Sequence, residues 1–449
     1  MNKVLLTFLY IVLGMTIIFT ETFRKKYSKI DLLTVINIGY SIAFVIIPIL
    51  ILNLDFSTNL DRGIISNVSF NNDKQFLSTL LLCALGYICI VAGFYYKNLV
   101  YFMLNKKNIK IDSEKYYSID EKVVAISAII TFIISTASLC IYTIKLGGIS
   151  NTLESAELYR MYGADQISGS FIKVFFPLII ASCNLYYILK IDNKSKNSYK
   201  IMFIITAIIS LYYLLINAGR MPVFLFLATF IVFKILKDNK SRYIVPILII
   251  GIIGVKYLDV LFGYLAYGSS FTGIKIVENK TLIDSVKDFA IEFSFPYINV
   301  FNVVKFAEGS FRFFIDYIMS VIQFLPDLIF FKLGFGSPVM LHEINTANHQ
   351  VNAGIPVDVI SYGYYQIGII GLIIHTFLFG VISRFLNNLS TRKGNYIYIF
   401  LRAKLLILWG FNVMYSDIDT FIRGKLDLII FIFIVLVFSK QYRLNEKDD

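Results

Sequence analysis

The sequence predicts an all-α polytopic integral membrane protein with about eleven transmembrane helices, ten to twelve in range. One long outer-face loop containing amphipathic or re-entrant helices completes the expected plan. Three observations carry it. Of 449 residues, 57% are hydrophobic and only 16% charged, with mean hydropathy +0.70. Apolar runs of about 18–25 residues recur along the chain, each long enough to cross a bilayer. Basic clusters follow alternate runs, whereas the loops between them carry slightly more Asp and Glu than Lys and Arg. A net charge of +12 distributed in this way matches positive-inside topology and anionic headgroups, and it does not point to nucleic acid.

The N-terminal stretch "MNKVLLTFLYIVLGMTIIFT" has Lys3 as its only early charge and no small-residue cleavage site, so an uncleaved first span is expected. Spans are predicted near 3–20, 31–52, 76–96, 122–144, 171–189, 200–217, 221–237, 243–264, 358–383, 396–415 and 424–440. The clusters "RKKYSK", "KNLVYFMLNKKNIK", "KIDNKSKNSYK", "KILKDNKSR" and "SRFLNNLSTRK" then share one side. That alternation places the N-terminus outside and the C-terminus in the cytoplasm. The chain divides into a first bundle of about eight spans (1–264), a large periplasmic or extracellular loop (265–357), and about three C-terminal spans with a short tail (358–449).

Loop 265–357 is too apolar for a disordered linker. In "TLIDSVKDFAIEFSF", Leu282, Ile283, Val286, Phe289, Ala290 and Phe293 share one helical face, which predicts a helix in the membrane interface. The following "FRFFIDYIMSVIQFLPDLIFF" carries Arg312, Asp316, Pro326 and Asp327, so a re-entrant or surface segment is expected. The four cysteines, Cys83, Cys89, Cys140 and Cys183, fall inside predicted spans without disulfide or metal-ligand spacing.

Polar residues on the outer side are scarce. Arg160 lies in "AELYRMYG", Arg220 in the tight hairpin "LLINAGRMPVF" and Arg423 in "SDIDTFIRG". An arginine can simply anchor at headgroups. At the apex of a two-helix turn, however, a guanidinium is costly unless it meets an anion, and it matches phosphate well. The stretch "HEINTANHQVNAGIP" holds His342, Glu343 and His349, two of the three histidines in the chain. The H-E-x5-H spacing is not the helical zinc-protease motif, so no metal is expected. Solvated loop histidines and acid–base work on a polar substrate remain as readings. His375, mid-span, is expected to make a helix-packing polar contact.

The "GR" of "NAGR", the dominant loop leading through "GFGSP", and the "G-x-x-G" of "QIGIIG" (Gly368, Gly371) resemble the oligosaccharide repeat-unit polymerases, the Wzy-type O-antigen and capsule family. The resemblance covers nearly the whole chain in topology, through short motifs. It implies a membrane glycosyltransferase of the bacterial inner membrane. Such an enzyme transfers a glycan from one undecaprenyl-diphosphate-linked oligosaccharide to another at the outer face. It implies membrane lipids, a chain-length regulator and a flippase as partners, and no cofactor or nucleic acid. Arg220, then Arg160 and Arg423, are expected at the diphosphate. His349, Glu343 and His342 are expected near the acceptor, with Asp358 as the acidic residue nearest the glycine pair. The rival readings are a flippase or transporter of the same lipid-linked unit and an O-antigen ligase-like transferase.

Overall fold

The computed structural model describes residues 3–26, 30–56, 64–68, 70, 72–97, 115–155, 170–193, 196–217, 220–239, 282–308, 311–322, 339–350 and 354–443. Eight helices among these are long and apolar enough to cross a membrane. They are α1 (Lys3–Phe23), α2 (Leu32–Asn53), α3 (Asp73–Phe94), α4 (Glu121–Lys145), α5 (Ile172–Asp192), α6 (Asn197–Ile216), α12 (Val359–Ser390) and α13 (Tyr396–Val413). Between α6 and α12 lie α7 (Arg220–Asp238), α8 (Leu282–Phe293), α9 (Phe295–Ala307), α10 (Ile315–Ile322) and α11 (Leu341–Asn348). After α13 come α14 (Ile418–Gly424) and α15 (Leu426–Phe438). The protein is therefore a helical membrane protein; among the described residues there is also one two-stranded ribbon, β1 (Lys115–Ser118) against β2 (Lys440–Arg443).

Each of these eight helices coincides with an expected span. The expected span at 243–264 lies outside the described residues. The one at 221–237 is a helix, α7, but Arg220, Lys234, Lys237 and Asp238 make it more charged than the others. The one at 424–440 is a helix of 13 residues, about 20 Å at 1.5 Å per residue and short of the roughly 30 Å hydrocarbon core. The amphipathic stretch at 282–293 forms the expected helix, α8.

Contacts sort the loops onto two faces. On one, Arg402 donates to Ile30 O at 2.7 Å, Tyr117 N donates to Lys393 O at 2.9 Å, Lys196 meets Glu121 at 2.7 Å, and β1 pairs with β2. On the other, Asn53 donates to Thr7 at 3.2 Å, Gln75 to Phe301 O at 2.6 Å, and Ser416 N to Val357 O at 2.7 Å. The first set contains the described basic loops. Arg24 in that set is more than a surface charge: it grips Asp31, the N-cap of α2, through two bonds of 2.6 and 2.7 Å and is only 4% exposed.

Two glycines let α3 and α12 approach backbone to backbone. A Cβ at Gly93 would lie 2.0 Å from Phe377 O, and one at Gly380 would lie 2.2 Å from Ile90 O. In a bilayer, where lipid tails compete equally for apolar surface, such close approach is what makes helices associate.

The helix α12 is broken. Ile367 (φ −150°, ψ 44°) and Gly368 (φ 60°, ψ −141°) leave helical geometry, and Gly368 supplies the positive φ that an L side chain resists. The limb 359–366 folds back on 369–390, because Gly363 and Gly371 touch: a Cβ at Gly371 would lie 2.3 Å from Gly363 O. The carbonyls freed by the break are bonded from outside the helix. Arg312 N donates to Tyr365 O at 3.0 Å and Phe313 N to Gln366 O at 3.1 Å. Gln366 Oε1 in turn accepts from Phe314 N at 2.7 Å. The expected re-entrant or surface segment therefore begins as a plug under the broken helix and continues into the short α10.

Candidate active site

The folded-back limb of α12, α11, α9 and the turn 414–417 into α14 meet on one face of the bundle. Asp358 is the N-cap of α12 and accepts from Ile360 N at 2.9 Å and Ser361 N at 3.0 Å. A short polar side chain there satisfies N–H groups the first turn leaves unpaired. Burial raises its pKa to about 6 against the lowering effect of those bonds.

Across from it, Asp417 Oδ2 accepts from Val357 N at 2.7 Å. Burial, followed by the charge of neighbouring Asp419, lifts the Asp417 carboxyl well above the usual carboxylate range. Asp419, on α14, faces α11, and its Oδ2 lies 3.0 Å from His342 Nδ1. Burial pulls the basicity of His342 down. The nearby carboxylates of Asp419, Asp417 and Glu343, Asp419 foremost, outweigh burial and raise the pKa to about 9. At neutral pH His342 is an imidazolium, and its side chain is 31% exposed.

Glu343 is turned to its own helix, accepting from Met340 N at 3.1 Å. His349, at the C-cap of α11, is buried. Its Nε2 lies 3.1 Å from Asn299 Oδ1. Asn299 Nδ2 donates to Pro356 O at 2.8 Å, which fixes the amide orientation and makes His349 Nε2 the protonated nitrogen. Burial lowers its pKa to about 4, so His349 is neutral. Asn345 joins the same cluster, donating to Asn299 Oδ1 at 3.1 Å.

His375 connects this layer to the bundle interior. Its Nδ1 lies 2.5 Å from Tyr317 Oη and its Nε2 3.2 Å from Ser416 Oγ, while the Tyr362 ring packs 4.9 Å from the imidazole. It is the helix-packing contact expected of it, and it also bonds the residue next to Asp417. Arg312 pairs with Asp316 through bonds of 2.6 and 3.0 Å. Arg312 also lines an open cleft of about 590 Å³ with Phe311, Phe313, Ile315, Ile318 and Ile344. Ile344 lies on α11, two residues from His342, so the cleft and the imidazolium share a helix.

The expected site residues thus divide. His342, His349, Glu343 and Asp358 come together on this face. Arg423 ends α14, four residues after Asp419. Arg220 opens α7, with its side chain outside the described residues, as is the whole of Arg160. Sequence reasoning missed Asp417 and Asp419, although "SDIDTF" sets two carboxylates into a short loop before an apolar run. It also missed the Arg312–Asp316 pair, legible as an i,i+4 spacing in "RFFID". Among the described residues, no group of three His, Cys, Asp or Glu side chains is placed to hold a metal ion. No family model, curated protein or solved structure matches the chain.

Proposed function

We propose that the protein polymerises undecaprenyl-diphosphate-linked oligosaccharide repeat units at the outer face of a bacterial inner membrane. On this reading it spans the membrane about eleven times, with its N-terminus outside. The observation that carries the reading is the His342–Asp419 pair on the helix, α11, that also contributes Ile344 to the apolar cleft. A partly exposed imidazolium, oriented through Nδ1 by a carboxylate, suits a substrate that is lipid at one end and diphosphate at the other. In the reaction a hydroxyl of one lipid-linked unit attacks the anomeric carbon of another, and the sugar–phosphate bond breaks. His342 stabilises the charge that develops on the departing diphosphate, with Arg220, Arg160 and Arg423 as further cations. The cleft lined by Phe311, Phe313, Ile315 and Ile318 receives apolar chain. Asp358 holds the half-helix that carries the site, while Glu343 and His349 shape α11.

The test is expression in a strain lacking its own polymerase, with the surface glycan displayed by length. Wild type restores a ladder of lengths. His342→Ala, at equal membrane abundance, shortens or abolishes it. A full ladder from His342→Ala removes His342 from the reaction, and single capped units from wild type remove the polymerase reading. The broken α12 favours a second reading, because transporters place discontinuous helices at their binding sites. Translocation of the lipid-linked unit in vesicles, without glycan growth, selects the transporter. Transfer of finished glycan to lipid A core selects a ligase.

A further inference from the structure

Among the described residues that line the open cleft of about 590 Å³, Arg312 is the one polar side chain, beside Phe311, Phe313, Ile315, Ile318 and Ile344. A guanidinium carries five N–H donors and no acceptor. Its Nε and Nη2 grip the Asp316 carboxylate at 3.0 and 2.6 Å, and Nη2 also donates to Val339 O at 2.8 Å. The two donors on Nη1 have no partner among the described residues. Asp316 is the buried member of the pair and Arg312 the accessible one, with side chains 2% and 18% exposed. Asp316 is further held by Gln366 Nε2 at 3.3 Å. The pair carries no net charge, which suits it to an apolar wall, yet one nitrogen of the guanidinium is still able to donate. Backbone strain falls on the same segment. Phe313 (φ 50°) and Phe314 (φ 61°) occupy the left-handed region, which bulky side chains resist and which clusters at ligand clamps. Their N–H groups are held by Gln366 O at 3.1 Å and Gln366 Oε1 at 2.7 Å, and the Phe313 ring is left 70% exposed at the cleft.

We propose that Arg312 recognises the first phosphate of a polyprenyl-diphosphate lipid whose chain lies in this cleft. The inference rests on the polymerase reading for the identity of the lipid, and it names the residue that tells a phosphorylated lipid from a neutral one. An apolar wall with one oriented donor is built for an amphiphile. The rings and methyl groups take the chain, and the donor fixes where its head stops. The Nη1 donors accept nothing in return, so a hydroxyl head would have to place its own hydrogen elsewhere. Phosphate oxygens only accept, and their bonds to a guanidinium are charge-assisted and stronger than bonds between neutral groups. Asp316 and Val339 keep their bonds while Nη1 is engaged, so binding takes no bond from the protein. Because Asp316 offsets its charge, Arg312 selects and positions the lipid, whereas His342 answers the charge that develops on the departing diphosphate.

The test uses full-length protein in maltoside detergent, with undecaprenyl diphosphate, undecaprenol and phosphatidylglycerol as probes and bound lipid read by native mass spectrometry. Wild type should hold undecaprenyl diphosphate more tightly than either of the others. Arg312→Lys keeps a cation for Asp316 and loses the spare donors of the planar fork. It should weaken undecaprenyl diphosphate by on the order of 10-fold and leave undecaprenol unchanged. Ile318→Asn, in the chain path, should weaken both by a similar factor. Undecaprenyl diphosphate bound by Arg312→Lys at wild-type affinity overturns the proposal, as does phosphatidylglycerol held equally well by wild type. Should Arg312→Lys fail to fold, the wild-type comparison decides: undecaprenol bound as tightly as undecaprenyl diphosphate overturns it. Either negative result beside a restored glycan ladder leaves the polymerase reading intact. Arg312-dependent binding by a protein that builds no ladder supports the lipid site and removes that reading.

Discussion

His342 and His349 sit at the two ends of α11 and hold opposite charge states, the first an imidazolium paired with Asp419 and the second a neutral ring bonded to Asn299. Two titratable groups of one kind, pushed apart by their surroundings, are a pattern that separates roles in a site. For His342 the folded pKa of about 9 lies above the ordinary value of 6.5. Its contribution to stability is complete below about 6.5 and is lost as pH rises through about 9. For His349 the folded pKa of about 4 lies below 6.5. Its contribution is present above 6.5 and is lost as pH falls through about 4. Thermal midpoints of wild type and His342→Gln should therefore differ most below pH 6.5 and converge above pH 9. A gap that stays constant across this range would refute the pairing.

Asp419→Asn should return the His342 pKa toward its ordinary value, because the Asp419 carboxylate, 3.0 Å from Nδ1, is the largest raising influence. Imidazole proton chemical shifts followed across pH report this directly. In a glycan-extension assay with lipid-linked repeat units, the variant should lose activity at a lower pH on the alkaline side than wild type does.

Lys404 and Asp427 form an ion pair inside the bundle, with Lys404 itself 1% exposed. Lys404→Met leaves an uncompensated buried carboxylate and should cost about 3–5 kcal/mol. Adding Asp427→Leu removes the second charge and should restore most of that loss. The readout is the thermal midpoint in detergent, and a double variant as unstable as the single one would contradict the pairing argument.

Gly380→Ala puts a methyl group 2.2 Å from Ile90 O, a backbone atom that cannot rotate away. The α3–α12 contact should loosen at a cost of about 1–3 kcal/mol. Gly424, which has nothing within 4 Å of an added Cβ, is the control: Gly424→Ala should leave the midpoint within about 0.5 kcal/mol of wild type.

Cysteines introduced at Gly354 and at Lys393, in a background with the native cysteines replaced by alanine, should label from opposite sides. The proposed topology expects Gly354→Cys to react with an impermeant thiol reagent in intact cells and Lys393→Cys only after permeabilisation. Reaction of both in intact cells would break the two-face sorting.

Much of the framework was legible in the sequence because membrane helices announce themselves through length and hydropathy. The eight described spans and the amphipathic helix at 282–293 follow from local pattern. The break in α12 was not legible in that way. "YYQIGIIGLIIH" reads as one continuous apolar run, and periodicity carries no information about a positive φ at Gly368. The glycine pair was noticed, but its reason, backbone contact between Gly363 and Gly371, exists only once the limb has folded back. Asp417 and Asp419 were overlooked for a different cause. Their partners, Val357 and His342, lie far away in the chain, and a carboxylate in a short loop has no local signature separating a solvated residue from a buried one.

The bonds from Arg312 and Phe313 to the broken end of α12 carry a mechanical consequence. Pulling segment 311–314 away would strip two carbonyls of their donors beside the bilayer, where each bare acceptor is penalised by several kcal/mol. That segment is consequently riveted to the bundle, and the wall of the cleft it forms is fixed in place. On the proposed function, a lipid entering there would meet a rigid sill, and shape would set which chains fit before any chemistry began.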